Sequence, residues 1–290
     1  MKFAIVTPSY YKDFPRCQLL AESVEKYIPA DIPYYILVGR EDEALFSTLK
    51  SKRIQIVLEE DVVGLKTRRL AWAPRWRVSW RTLPVRGWIW QQIVKLSMSQ
   101  MIPADAYMIM DSDCMFFRPF DPRSLIDREG RIPLYREEKS FYTTDSDTQK
   151  WHKHGGKILK IPRPQVPYAT GYVGAPIFWR RDVLGQLRNH MDMRNFLTVA
   201  SRISLCPTFS EYVLYGMFVE HILGIEASGH YKFHGELAQN HWTETALDVD
   251  QLNIFKRNAP SEKVMIHINA KSGTSVGDIR QVFATTLNNV

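Results

Sequence analysis

The chain has only three cysteines, Cys17, Cys114 and Cys206, and no two of them stand in C-x-x-C spacing. That excludes a disulfide framework and a cysteine-based zinc site, and it makes a reducing compartment the simpler reading. No apolar stretch approaches the ~18 residues that a bilayer-spanning helix needs. Met1–Val6 enters a strand-like run with no charged leader, so a cytoplasmic protein is expected. Internal repeats and low-complexity linkers are also missing, and one compact domain over residues 1–290 is the economical expectation. A further absence is local. Between Gly64 and Trp90 stand Lys66, Arg68, Arg69, Arg75, Arg77, Arg81 and Arg86, with no Asp or Glu. The rest of the chain balances at 31 basic against 31 acidic residues, so this one segment supplies the whole net charge of +7. It also carries Trp72, Trp76, Trp80, Trp88 and Trp90, five of the eight tryptophans.

What is present reads as an α/β chain. Lys2–Thr7, Pro33–Gly39 and Arg53–Leu58 are short apolar runs of strand length. Between them, Arg16–Tyr27 places Leu19, Leu20, Val24 and Tyr27 at helical spacing, and Glu41–Leu49 also reads as a helix. This β-α-β-α-β order predicts a mainly parallel sheet flanked by helices. Trp88–Met101 reads as a helix stopped by Pro103. Later strands are expected at Ile132–Arg136, Gly174–Arg180 and Val264–Ile268, with a polar loop over Glu137–Gln165. Helices are expected at Asp182–Met191, Arg194–Ala200 and Phe209–Leu223, the last with Thr208 or Ser210 as its N-cap.

The most informative junction is Ala106–Met110, an apolar run ending abruptly in Asp111-Ser112-Asp113. A buried parallel strand delivers the residues just past its C-terminal end into the crevice where open α/β sheets bind ligands. Two carboxylates there can hold one divalent cation, and an oxygen-ligated cation keeps positions open for substrate phosphates. The alternative is an ordinary turn in which the Asp side chains cap backbone amides. The Asp145/Asp147 and Asp248/Asp250 pairs follow no apolar run, and read as a loop decoration and as lying in or before a surface helix.

With these pieces assembled, the chain resembles a GT-A-type glycosyltransferase, more narrowly an uncharacterised bacterial family of nucleotide-sugar-dependent transferases. The resembling segments are F-A-I-V-T-P-S-Y at Phe3–Tyr10, G-W-I-W-Q-Q-I-V-K-L at Gly87–Leu96 and M-D-S-D at Met110–Asp113. T-G-Y-V-G-A-P at Thr170–Pro176, F-S-E-Y-V-L-Y-G at Phe209–Gly216 and H-I-N-A-K-S-G at His267–Gly273 complete the set. The resemblance implies a GT-A-like, Rossmann-type mixed sheet with a basic Trp-rich insert, and two halves: 1–113 for the nucleotide and 114–290 for the acceptor. It implies a nucleotide-sugar donor, Mn²⁺ or Mg²⁺, and transfer to the hydroxyl of a glycan or lipid-linked acceptor in surface polysaccharide or glycolipid synthesis.

By motif match, Asp113 is implied on the metal, and Asp111 on the donor ribose or a metal-bound water. His267 is the candidate third metal ligand and Lys271 a diphosphate contact, although the Pro-Trp that follows such a Lys in related retaining enzymes is missing here. The imidazole suits Mn²⁺ better than Mg²⁺. The alternative for His267 is a satisfied strand histidine, with His234 and His241 as rivals. Thr7, Pro8, Ser9 and Tyr10 follow the first strand and are candidates for base and ribose, or a plain turn. Gln91, Gln92 and Lys95 lie on the helix leading to the metal strand. Gln91 and Lys95 share a face that points either to the donor or to solvent. Glu211 reads either as a base toward the acceptor, made so by greasy surroundings, or as a first-turn acid favoured by the helix dipole. The glycines of Thr170–Pro176 permit close approach of a ligand.

In the basic segment, Pro74 interrupts the four-residue Trp spacing, and alternation of Trp76, Val78 and Trp80 with arginines suits a strand or hairpin. It reads either as a contact, through 66–90, with an anionic membrane or phosphate-rich acceptor, or as Trp packed on the core with Arg covering it. A nucleic-acid-binding module is the runner-up, opposed by the confinement of charge to one segment. A phosphohydrolase comes third, because there the Asp pair follows the first strand.

Overall fold

The computed structural model describes residues 1–70, 72–73, 76–79, 82–141, 147–161, 168–191 and 208–284. The expected β-α-β-α-β opening is present. It comprises β1 (Phe3–Pro8), α1 (Phe14–Tyr27), β2 (Tyr34–Val38), α2 (Glu43–Phe46), β3 (Ile54–Leu58) and α3 (Glu59–Val63). The Glu41–Leu49 helix is shorter than expected, because 3-10 turns take both of its ends. The basic segment folds as a three-stranded antiparallel ribbon of β4 (Arg68–Arg69), β5 (Trp76–Ser79) and β6 (Thr82–Arg86). From it the chain enters α4 (Gly87–Ser97) and then β7 (Ala106–Ile109).

Past the aspartates come β8 (Cys114–Phe116), β9 (Ile132–Tyr135) and β10 (Glu137–Phe141). The expected polar loop over Glu137–Gln165 is instead β10 followed by an amphipathic helix, α5 (Asp147–Leu159), which buries His152, Gly155, Gly156 and Leu159. Next are β11 (Tyr168–Gly171), β12 (Ile177–Arg180) and α6 (Arg181–His190). The expected helix over 194–200 lies outside the described residues. The apolar Phe209–Leu223 run forms a helix over Glu211–Phe218, capped by the Ser210 hydroxyl, and continues as a π-helical turn over Val219–Leu223. Three strands complete the sheets: β13 (His230–Phe233), β14 (Ala238–His241) and β15 (Met265–Ile268).

The central sheet has the order β12-β7-β1-β2-β3. β7, β1, β2 and β3 run parallel, and β12 closes the edge antiparallel to β7. Both faces of β1, β2 and β7 are buried, which is why they read as continuous apolar runs rather than alternating ones, whereas β3 at the sheet edge fully buries only Ile54. α4, α6 and the Glu211–Phe218 helix cover one face and α1 the other. The order reverses between β1 and β7, and ligands bind outside the carboxyl ends of strands at such a switch point. A second sheet, β14-β15-β8, continues directly from the aspartates. No helix among the described residues is long and apolar enough to cross a membrane.

One buried contact makes stability depend on acid. His230, on β13, is fully buried, with its Nε2 hydrogen-bonded to the Tyr215 hydroxyl (2.8 Å), which also accepts the Arg180 N–H (2.9 Å). Burial, then the Arg180 charge, pushes the imidazole down from 6.5 to about 4. Below pH 6.5 the unfolded chain therefore takes up a proton that the fold refuses. Stability present near neutrality is lost as the pH falls from 6.5 through about 4, by roughly 3 kcal/mol from this residue. The Tm advantage of the wild type over His230→Gln, which cannot titrate there, should therefore shrink as the pH falls through that window. A difference that stays constant with pH would reject the assignment.

Candidate active site

Strand pairing explains why Asp113 and His267, far apart in sequence, end up together. β8 begins immediately after Asp113 and pairs antiparallel with β15, placing His267 opposite Cys114. The Ile268 N–H then donates to the Asp113 carbonyl (3.1 Å). The Ala270 N–H donates to Asp113 Oδ2 (3.1 Å), and His267 Nε2 stands 3.5 Å from the same oxygen. Burial is the largest influence on the Asp113 carboxyl and works against its charge. His267, the Ala270 N–H and Arg16 together outweigh it and hold the carboxyl below its ordinary value.

Asp111 has a different neighbourhood. It is about half exposed, and its Oδ1 accepts from the Lys95 ammonium (2.9 Å). Lys95 is itself buried, and donates also to Glu211 Oε1 (2.8 Å) and to the Tyr212 hydroxyl (2.8 Å). Burial pulls its pKa down, but Asp111, Glu211 and Tyr212 more than offset that and hold it well above the usual lysine value. Glu211 is therefore a paired carboxylate rather than one isolated in greasy surroundings. Its backbone N–H donates to Gln92 Oε1 (3.1 Å), tying the start of its helix to α4.

These groups open into one cavity of about 340 Å³, lined by Pro8, Asp13, Gln91, Gln92, Lys95, Asp111, Ser112, Asp113, Ser210, Glu211 and Tyr212, with Trp88, Trp151 and Trp242 among its walls. Asp13 was not legible from sequence. It sits in the turn before α1, and burial followed by the Asp113 charge raises its carboxyl to about 6. The only sequence signal was its position a few residues past the first strand.

A second cavity of about 480 Å³ adjoins the first, sharing Trp88 and Gln91, and is lined also by Tyr10, Arg69, Trp76, Arg77, Arg86 and Gly87. Here the alternation of Trp and Arg faces the opposite way from the core-packed alternative. Arg77 is buried, and its Nη2 contacts Glu59 (2.7 Å) while its Nη1 meets Glu60 (3.3 Å). Trp76 faces outward and Trp72 is 83% exposed. Arg69 is bonded to Asp42 through both terminal nitrogens (3.1 and 2.6 Å). The charge of Arg69 and Arg77 is thus neutralised internally. Among the described residues that leaves Arg86, stacked over Trp76 at 5.6 Å, as the cleft's uncompensated cation. Arg75, Trp80 and Arg81 lie outside the described residues, as does Asp145.

The remaining candidates separate clearly. Thr7 and Ser9 are fully buried beneath the loop, and only their neighbours Pro8 and Tyr10 reach the cavities. Lys271 is largely exposed, 3.7 Å from Glu244, and does not line the cavity. His234 contacts the Arg136 carbonyl and His241 the Thr245 carbonyl, so neither meets the aspartates. Asp248 caps the helix Val249–Arg257 through a capping box. In Thr170–Pro176 only Val173 lines the cavity, and a Cβ on Gly174 would lie 3.1 Å from the Tyr135 ring, so that glycine serves packing.

Among the described residues no group of three or more His, Cys, Asp or Glu side chains stands together as a metal-holding cluster. The residues nonetheless suit a cation that takes few protein ligands. Asp113 Oδ1 and His267 Nδ1 are buried without partners, and the Asp113–His267 pair offers one oxygen and one nitrogen. Asp111 would join by exchanging Lys95, with phosphates and water completing the shell.

No curated protein matches the sequence. The crystal structure of mouse xyloside xylosyltransferase 1, apo form, is similar with a TM-score of 0.49 at 8% identity, covering 95% of this chain and 100% of that one. A model described as a family of unknown function (DUF6492) matches residues 3–260, nearly the whole chain, and the protein therefore belongs to that family.

Proposed function

We propose that the chain is a GT-A-type glycosyltransferase that moves a sugar from a nucleotide-sugar donor to an acceptor hydroxyl with the help of Mn²⁺ or Mg²⁺. One observation carries this reading: Asp111 and Asp113 stand at the switch point of a parallel sheet, and the same cavity holds His267-paired Asp113, Lys95 and Glu211. Asp113 and His267 would hold the cation, with Asp111 beside them. A cation there neutralises charge that grows on the departing diphosphate. Lys95 adds a fixed positive charge at the same place. Glu211 is positioned to take the proton of an acceptor hydroxyl, and Lys95 and Gln92 fix its orientation. The neighbouring cleft, with Tyr10, Trp76 and Arg86, suits the nucleoside: flat rings for the base and a cation for phosphate.

Residues 1–113 would then serve mainly the nucleotide and 114–290 the acceptor. A role in bacterial surface polysaccharide or glycolipid synthesis rests on the sequence resemblance, and its placement in the cytoplasm on the sparse cysteines. Peripheral contact with an anionic membrane through 66–90 is supported by exposed Trp72 beside Lys66 and Arg68.

Thermal-shift measurements with UDP-, GDP-, CMP- and dTDP-sugars, each with and without Mn²⁺, test the reading. One nucleotide should protect in a cation-dependent way, since a ligand at ~100 times its Kd adds about 2.7 kcal/mol. Asp113→Asn keeps the side chain's shape and an acceptor for Ala270, and should abolish that protection with little change in the free protein's Tm. Protection that survives in Asp113→Asn, or that never occurs, would sink the proposal.

A further inference from the structure

Three indoles from separate parts of the chain meet at the Asp111–Asp113 cavity. Trp88 comes from the first turn of α4, Trp151 from α5, and Trp242 directly follows β14. Trp88 and Trp242 leave 45% and 50% of their surface in water. The Trp88 and Trp151 rings lie 6.5 Å apart with a 34° tilt, and the Trp242 ring lies 4.1 Å from that of His267. Wet aromatic surface beside a concave polar site marks where a ligand will cover it.

The same walls hold unused hydrogen-bonding capacity. Gln92 is 1% exposed, and its Nε2 has no partner because its Oε1 alone is engaged by the Glu211 N–H. Glu211, whose Oε1 is engaged by Lys95, presents a carboxylate to the same cavity. An occupant must therefore present an apolar face to indole, an oxygen that accepts from an amide N–H, and protons that carboxylates can accept. An acyl chain would set these carboxylates against hydrocarbon at a desolvation cost. A nucleobase has few donors. A pyranose ring has a C–H face and a girdle of hydroxyls that both donate and accept.

Resting on the transferase reading above, we infer that Trp151, Trp242 and Gln92 form an acceptor subsite for a pyranoside ring, so the acceptor is the end of a glycan. Trp242 covers the ring face, Trp151 flanks it, and Gln92 Nε2 donates to a ring hydroxyl.

Saturation-transfer NMR on the full chain, with methyl gluco-, galacto-, manno- and xylopyranosides and their disaccharides as probes, tests this. At least one pyranoside should bind through its ring C–H protons. Its affinity should fall about tenfold, the equivalent of ~1.4 kcal/mol, in Trp242→Ala and in Trp151→Leu, which keeps an apolar group against the core. Trp242→Phe should recover most of it. No pyranoside binding to the wild type, or equal binding by the variants, overturns the inference. Displacement of the pyranoside signal by decyl phosphate but not by a disaccharide also overturns it. Nucleotide protection measured in parallel separates the two readings. Protection without pyranoside binding defeats the subsite alone, and pyranoside binding without protection in any form defeats the donor reading.

Discussion

Lys95→Met is expected to cost roughly 3–5 kcal/mol of folding stability, the usual result of removing one partner of a buried ion pair. It should also lower turnover by about 10²-fold or more. The Lys95 ammonium is the shared partner of Asp111, Glu211 and Tyr212, and Glu211 is as buried as Lys95 itself. Methionine fills the same volume but leaves the Glu211 carboxylate in protein without a counter-charge. The decisive comparison is a cycle of Lys95→Met, Glu211→Gln and the double variant, followed by urea denaturation. The double variant should be more stable than the sum of the two losses predicts, because no uncompensated charge remains. Losses that simply add would mean that the two groups do not depend on each other. Turnover should fall in all three variants, since orientation of Glu211 and charge at Asp111 are both lost.

Arg77→Met should be comparably damaging although it lies outside the Asp111–Asp113 cavity. The guanidinium reaches Glu59, Glu60 and Glu41 and packs over the Trp90 ring. It also leaves no room for a side chain at Gly39, where a Cβ would clash with its Nη2. Without it, two buried glutamates keep only neutral donors, Trp90 Nε1 on Glu59 and the Arg40 N–H and Thr67 hydroxyl on Glu60. A loss of about 3–5 kcal/mol is expected near neutral pH, or roughly 10 °C in Tm for a chain of this size. The deficit should depend on pH in a definite direction. Burial, opposed by Arg77, already raises the Glu59 carboxyl from 4.5 to about 7. Because its folded value is the higher one, the fold binds the proton more readily, and stability falls as the pH rises from about 4.5 to 7. Removing Arg77 exaggerates this, so the variant should approach wild type at pH 5 and fall behind at pH 8. Equal deficits at both pH values would show that lost packing, not unpaired charge, is responsible.

The legible parts of this fold were those in which one segment carries its own signal. β1, β2 and β7 are apolar runs buried on both faces, β3 is a mostly apolar run at the sheet edge, and α4 and the Glu211–Phe218 helix are apolar enough to stand out unaided. β8 escaped notice because it is only Cys114–Phe116, and β14 because Ala238–His241 is mostly polar. α5 was hidden by paired glycines, Gly155 and Gly156, which break helical propensity but here face Met217 closely. In the site, Asp111, Asp113, His267 and Lys95 were all nominated, yet their division into an Asp113–His267 pair and a Lys95–Asp111–Glu211 bridge depends on long-range pairing. Asp13 entered only through that three-dimensional proximity. Alternation in the basic segment pointed to strands but not to which side turned inward. Arg77 faces inward because Glu59 and Glu60, from an element earlier in the chain, wait for it there.

β15 is inserted between β8 and β14, and its arrival is what sets His267 and the Ala270 amide against Asp113. During synthesis the first aspartates leave the ribosome long before the strand that completes their surroundings. A chain released before Met265 would still contain the parallel strands and most of the helices, but the cavity at Asp113 would have one wall missing. Pairings of such wide sequence separation form late, so the ability to hold substrate should emerge as the last event of maturation, after the bulk of the protein is already compact.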